Sequence, residues 1–581
     1  PGGTPPRPVP PETAGEVTVP VARPVAPGEE PTAPLDPVRP APGSGSGSEQ
    51  TGSLVRSSSL IAVASLVSRL TGFLRNLALV AVLGLAVVND SYTVSNTLPN
   101  IVYELLLGGV LTSVMIPVLV RAQTDDADGG DAFTRRLLTV VGVGLFVATL
   151  VAMVAAPLLT RLYLGSGESG QANPELATAF AWLLLPQIFF YGIGALLGAV
   201  LNSKGVFGPF AWAPVLNNLV LLAVLAAYVM VPGEISTDPV RMGDPKLLIL
   251  GLGTTFGIVV QALVLIPAMR RIGFRYRPLW GWDPRLTLAG GMALWIVGYV
   301  LAGQAGYIVT TRVAAGADGG SVSTYQNAWL LLQVPYGVLG VSLLTALMPR
   351  MSRAAAEGNT GQVTTDLSLG ARLSTVGLMP IAALLTVFGT ELGVALFSIG
   401  AGSGTGASRL GATVAASAFG LLPYAVTMLQ MRVFYAMTDS RTPTLIQIGM
   451  IAVKIPLLLL CPVLLPVEQV VLGLAAANGM SFVVGAIAGQ VLLARRLGRV
   501  RTREVLSTLW RTTAASVVGA ALAWGVGRLV ANGPLDGWPA VGQAWLLLAV
   551  GAVVALPVTV VMMRVLRVAE LDTVFKRFSR R

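Results

Sequence analysis

From residue 60 onward one pattern recurs along the chain: an apolar run of about 20 residues, a short polar turn, then another apolar run. Such runs predict membrane-spanning helices over 60–86, 91–120, 137–162, 177–201, 210–231, 247–269, 286–310, 323–349, 373–398, 411–437, 443–465, 469–494, 512–531 and 541–566, fourteen in all. The first run is unusual because it contains two arginines, Arg69 and Arg75. At about 100° per residue, Ser65, Ser68, Arg69, Arg75 and Asn76 fall within roughly 60° of Gly72, while Leu66, Val67, Leu70, Leu74 and Leu77 take the other side. Arg69 sits about 13 Å into its span at 1.5 Å per residue, too deep for easy snorkelling. An arginine at that depth is costly and normally faces a protected, anion-receiving cavity.

The second run carries a matching stripe of Asn96, Asn100, Tyr103 and Glu104, loosened at Pro99. Glu104 is a candidate counter-ion for Arg69 or Arg75. Asp90, in the short turn before this stripe, reads equally as a site residue or as a plain helix cap. In run 8, Gln326, Asn327, Gln333 and Tyr336 are cavity candidates, with interhelical hydrogen bonding as the competing role. Arg432 is expected at a cytoplasmic gate or interface, and Lys454 is a deep cation that pairs across a lobe or snorkels.

Charge fixes the expected orientation. One alternate set of turns holds Arg121, Arg135, Arg136, Lys204, the Arg270–Arg285 cluster, Arg350, Arg353, Arg372, Arg441 and Arg495–Arg511, whereas the other holds only scattered cations. The positive-inside rule puts the first set, and both termini, in the cytoplasm, as an even span count requires. The formal net charge of +11 is therefore topological and does not call for nucleic acid.

Composition agrees with a polytopic all-α membrane protein, 54% hydrophobic and 12% charged. Histidine is absent and cysteine occurs once, at Cys461, which excludes histidine relays, disulfides within the chain and Cys/His metal sites. No GxxxxGK[ST] motif is present, so nucleotide hydrolysis is not expected and the drive falls to an ion gradient or the membrane potential, with Glu104 or Asp90 as coupling residue. No cofactor and no metal are expected.

The segment 183–210 resembles 421–445, pairing Pro186 with Pro423 and Asn202-Ser203-Lys204 with Asp439-Ser440-Arg441; likewise 108–122 resembles 340–354, pairing Pro117 with Pro349. Offsets near 235 residues correspond to six helices, an even number, so the copies share one orientation. The expected organisation is a disordered Pro/Gly/Ser-rich tail (1–53), a first lobe of helices 1–6 (54–275), a second of helices 7–12 (276–500), helices 13–14 (501–570) and a basic tail (571–581).

The stretch SLVSRLTGFLRNLALVAVLG and the following NDSYTVSNTLPNIVYELLLGGVLTSVMIPVL resemble the opening of the MurJ (MviN) family of bacterial lipid II flippases, actinobacterial members included. The resemblance rests on Ser68-Arg69, Gly72-Phe73, Arg75, Asp90 and Leu98-Pro99-Asn100, and continues through Val334–Gly340 and Asp439–Pro443. It implies two six-helix lobes of the multidrug/oligosaccharidyl-lipid/polysaccharide exporter superfamily, not an enzyme. It also implies a central cationic cavity for the pyrophosphate-sugar headgroup of lipid II and a groove at helices 13–14 for the polyprenyl tail. Carried over residue by residue, Arg69 and Arg75 would bind the headgroup and Asp90 would serve the site or gate. Ser68, Asn76, Asn100, Tyr103, Glu104 and Gln333 complete the expected site. The pattern departs from the family at Tyr103 and near Leu330, where family arginines stand, and at Gly108, where an acidic residue stands. The implied setting is the plasma membrane, with membrane lipids and cell-wall synthesis or division proteins as partners. Rival readings are a flippase for another polyprenyl-linked glycan, an exporter of the same superfamily, a membrane glycosyltransferase or polymerase, and a non-transporting scaffold. Dispersed outer-loop acids disfavour the glycosyltransferase, and cavity arginines disfavour an exporter of cations.

Overall fold

The structure is a computed structural model that describes residues 47–105, 116–165, 172–283, 290–402, 404–498, 500–533 and 538–571. Among these residues every regular element is a helix, apart from one isolated bridge between Thr237 and Val240. The chain divides into the units Pro1–Arg56 and Ser57–Arg581, and the bundle lies in the second.

The first half is built from α1 (Gly47–Leu83), α2 (Val87–Leu105), α3 (Ile116–Asp125), α4 (Asp131–Val154), α5 (Ala156–Leu164), α6 (Pro174–Leu184), α7 (Gln187–Ser203), α8 (Gly208–Met230), α9 (Pro245–Leu263) and α10 (Leu265–Arg271). The second half follows with α11 (Gly290–Ala315), α12 (Ser321–Pro335), α13 (Val341–Ala356), α14 (Thr360–Phe397), α15 (Thr405–Ser417), α16 (Leu421–Ala436), α17 (Arg441–Leu464) and α18 (Val467–Leu497). Two last helices, α19 (Thr502–Ala531) and α20 (Ala540–Val565), close the bundle. Prolines explain several breaks: Pro186 separates α6 from α7, and a π-turn at Tyr336–Gly340 after Pro335 separates α12 from α13.

Twelve helical stretches among the described residues are long and apolar enough to cross a membrane. The expected spans 91–120 and 286–310 are not among them. The first is seen as α2 and α3 on either side of residues outside the described set, the second as α11. Residues 47–53, at the end of the polar tail, are helical and open α1. Extending an existing helix adds one hydrogen bond per residue fixed, whereas starting a new one does not. The rest of that tail, Gly108 and most of the basic C-terminal tail lie outside the described residues.

One buried cluster runs through Phe133 and Leu137 of α4, Ala177 of α6 and Leu196 of α7. It continues into Ala314 of α11, Val322 of α12, Leu458 of α17 and Leu474 of α18, so the two halves share it. The repeat pairing also sharpens. Both α7 and α16 end in a left-handed residue, Gly205 (φ 76°) and Thr438 (φ 58°), each followed by a wide helix-ending hydrogen bond, Val206 N to Leu201 O (2.9 Å) and Asp439 N to Phe434 O (2.9 Å). The matching geometry falls one turn away from the expected Asn202/Asp439 pairing, within one residue of the register that Pro117 and Pro349 indicate. Asp439 then caps α17 through Thr442 N (3.0 Å) and pairs with Arg496. Partial burial would raise its carboxyl, but the bonds from Thr442 and Arg496 hold it below the usual carboxylate range.

The last two helices are fastened at one end by Arg372 of α14, whose guanidinium meets Glu570 at 2.7 Å and Glu504 at 3.6 Å. Glu570 is 6% exposed. Arg372→Ala would leave that carboxylate buried without its partner, and should destabilise the docked helices by about 3 kcal/mol. Thermal unfolding of detergent-purified protein would show this, with Arg372→Lys recovering part of the loss.

Candidate functional site

The polar face of α1 stands against α8 of its own half. Arg75 donates to Asn218 Oδ1 and to Asn76 Oδ1, both at 3.3 Å. The Asn218 amide in turn donates to Ser68 O (3.2 Å) and Thr71 Oγ1 (3.1 Å). Gly72 faces the same amide, with the position of a Cβ there at an ordinary contact distance of 3.4 Å. Ser68 thus contributes its carbonyl. Asn218 is a site residue that the sequence reading passed over; its only signal is the Asn217-Asn218 pair inside an otherwise apolar helix.

Arg69 points the other way. It is exposed, and its Nη1 lies where a Cβ on Gly337 would come within 2.3 Å, so the guanidinium crosses to the π-turn of the second half over a residue with no side chain. Tyr336 and Tyr424 are within its electrostatic reach. Arg432, also exposed, acts on Tyr336 as well, so two cations from opposite halves of the chain converge on one ring. Behind them lies an aromatic stack: Trp329 and Phe482 are parallel at 5.6 Å, and Tyr424 packs edge-on to Tyr336 (4.6 Å) and Phe482 (4.9 Å).

Between α1, α2, α11 and α12 opens a cavity of about 650 Å³.

 Asn76, Asn96, Asn100, Gln326, Asn327 and Gln333 line it, and no carboxylate does among the described residues. Leu330 lines it too, which places an apolar side chain where the resemblance implies an arginine. Internal bonds hold the polar walls: Asn100 Nδ2 donates to Asn96 O (2.9 Å), and Gln326 donates to the Tyr307 hydroxyl. The side chains of Tyr103 and Glu104 lie outside the described residues, so the proposed Glu104 counter-ion has no geometry here.

Asp90 does not line the cavity. Its carboxylate is 2% exposed and accepts from the backbone N–H groups of Gly320 (2.9 Å), Val322 (3.3 Å) and Ser323 (2.8 Å). It therefore caps α12, a helix of the other half, and meets the positive end of that helix dipole. Around it the backbones come close: a Cβ on Gly320 would lie 2.0 Å from Leu85 O, and one on Gly400 2.3 Å from Ala81 O. Arg409 braces the same corner through Asp318 (2.5 Å) and Ser321 (2.7 Å).

Lys454 neither snorkels nor finds a carboxylate among the described residues. It is 7% exposed and donates to Asn478 Oδ1 of α18 at 2.8 Å. Asn478→Leu should leave the ammonium without this acceptor and cost about 2 kcal/mol, measurable as a lowered unfolding temperature that Asn478→Asp does not reproduce.

The family model described as lipid II flippase MurJ matches residues 79–534. The chain belongs to the MurJ family. Among curated MurJ relatives, a probable lipid II flippase of Vibrio cholerae is 25% identical over 412 residues, covering 69% of this chain and 75% of that one. A lipid II flippase MurJ of Burkholderia cenocepacia is 28% identical, covering 67% and 74%. A solved MurJ structure in an inward closed conformation matches with a TM-score of 0.69 at 17% identity, over 87% of this chain and 99% of that one. An inward-facing multidrug transporter of the MATE family, in the MOP superfamily, matches at a TM-score of 0.57 and 14% identity, over 75% and 98%. These two likenesses concern the fold. As a MurJ family member with many apolar helices, the protein is a multi-pass protein of the inner membrane.

Proposed function

We propose that the chain carries lipid II from the inner to the outer leaflet by alternating access between two lobes, 54–275 and 276–500. One observation carries the reading most: beside a polar cavity whose described walls hold no carboxylate, Arg75 donates to the wall residue Asn76. A planar guanidinium pairs with two phosphate oxygens at once, so Arg69, Arg75 and Arg432 suit a pyrophosphate. The amide-rich walls offer donors and acceptors to sugar hydroxyls, and α19 and α20 would guide the polyprenyl tail. An exporter of organic cations would need the opposite charge.

With the arginine-bearing turns in the cytoplasm, Asp90 closes the outer end while Arg69 faces inward, an inward-facing state. The drive is an ion gradient or the membrane potential. The test is depletion of a host's own flippase, complementation with this chain, and measurement of lipid II accessible at the outer leaflet. Restored growth with normal outer-leaflet lipid II supports the reading. A membrane-inserted chain that leaves lipid II on the inner leaflet rejects it.

A further inference from the structure

A second cavity, of ≈ 950 Å³, lies between α4, α7 and α10 and shares no lining residue with the central one. That is large for a ligand pocket, which typically runs roughly 300–1,000 Å³. Its walls are apolar, with Val143 and Phe146 of α4 exposed at 44% and 54%, so in a bilayer they face acyl chains. Its rim is cationic: Arg270 and Arg275 line it, and among the described residues no acidic one does.

The segment after α10 completes the rim. Gly273 (φ 80°) turns the chain, Phe274 is buried, and the strap runs back across α4. There the Tyr276 hydroxyl meets Thr139 Oγ1 at 3.1 Å, and Leu279 N donates to the same oxygen at 3.2 Å. Beyond them Trp280 and Trp282 are 71% and 66% exposed, the side chains that prefer the boundary between headgroups and hydrocarbon. An apolar slot, a carboxylate-free arginine rim and a tryptophan-bearing strap together specify an amphiphile with one negative head at interface depth.

We propose that this cavity is a binding site for an anionic phospholipid, with acyl chain between α4, α7 and α10 and phosphate at Arg270 and Arg275. The bound lipid would fill the slot on the outside of the helix bundle and tie the strap to it. The site takes a bilayer lipid, apart from the transported substrate, and the inference stands whether or not the central cavity carries lipid II.

The test is native mass spectrometry of the full chain in detergent, titrated with phosphatidylglycerol or phosphatidylcholine. The wild type should bind its first phosphatidylglycerol several-fold more tightly than phosphatidylcholine, and Arg270→Gln with Arg275→Gln should remove that preference, at about fivefold per arginine. Arg495→Gln with Arg501→Gln, in another basic turn, should leave it intact. Val143→Trp, which fills the slot from its exposed side, should weaken both lipids. Equal binding of the two lipids by the wild type would overturn the proposal. So would equal losses from the two arginine pairs, or displacement of the lipid by soluble glycerol phosphate, since the apolar slot would then contribute nothing.

Discussion

Arg69→Ala is expected to abolish complementation at wild-type membrane levels, with lipid II retained on the inner leaflet. Arg69 reaches across to Gly337 and stands beside Tyr336. Two charge-assisted hydrogen bonds to a phosphate contribute about 1.5–3 kcal/mol each, so losing both should lower transport by two orders of magnitude or more. Arg69→Lys should recover little, because a point charge does not reproduce the planar fork. Gly337→Ala is the sharper control. It keeps the charge but displaces the guanidinium, and should give an intermediate loss. Normal outer-leaflet lipid II in Arg69→Ala would remove this arginine from the mechanism and favour a scaffold role.

The second large effect is expected at Asp90. Asp90→Ala strips three N–H groups at the start of α12 of their acceptor. Water reaching the opened end recovers part of that loss, leaving a net destabilisation of the closed corner of about 2 kcal/mol. A roughly thirtyfold shift toward the state open at that end should follow. Cys461 is the chain's single cysteine, so a Cys461→Ser background allows one reporter, Asn96→Cys, on the cavity wall. An impermeant maleimide added outside should label it much faster with Asp90→Ala than with native Asp90. Unchanged labelling would mean that the cap does not hold this end closed. Asp90→Asn, which keeps one acceptor oxygen, should fall between.

Much of the central cavity was legible because helical periodicity assigns faces. Asn76 and Asn100, each placed on a polar face by its spacing, line one space together with Gln333. What the sequence could not show is who stands opposite. Arg75 takes its partner from Asn218, 143 positions away, and Asp90 finds main-chain donors, which carry no residue-type signature beyond the glycine before them. The lipid-side cavity was invisible for a different reason: positions such as Val143 and Phe146 read as ordinary bilayer-facing residues until the strap is seen to fold over them. The helix pattern likewise missed the break in run 8, because a π-turn keeps the chain helical while shifting its register.

That break has a mechanical meaning. The 15 residues of α12 make a rod of about 22 Å, pinned to Asp90 at one end and jointed at Tyr336–Gly340 at the other. Releasing the pinned end is expected to free the rod to move about that turn, over which the Arg69 guanidinium lies. The Asp90 cap and the Arg69 guanidinium thus stand at opposite ends of one short helix.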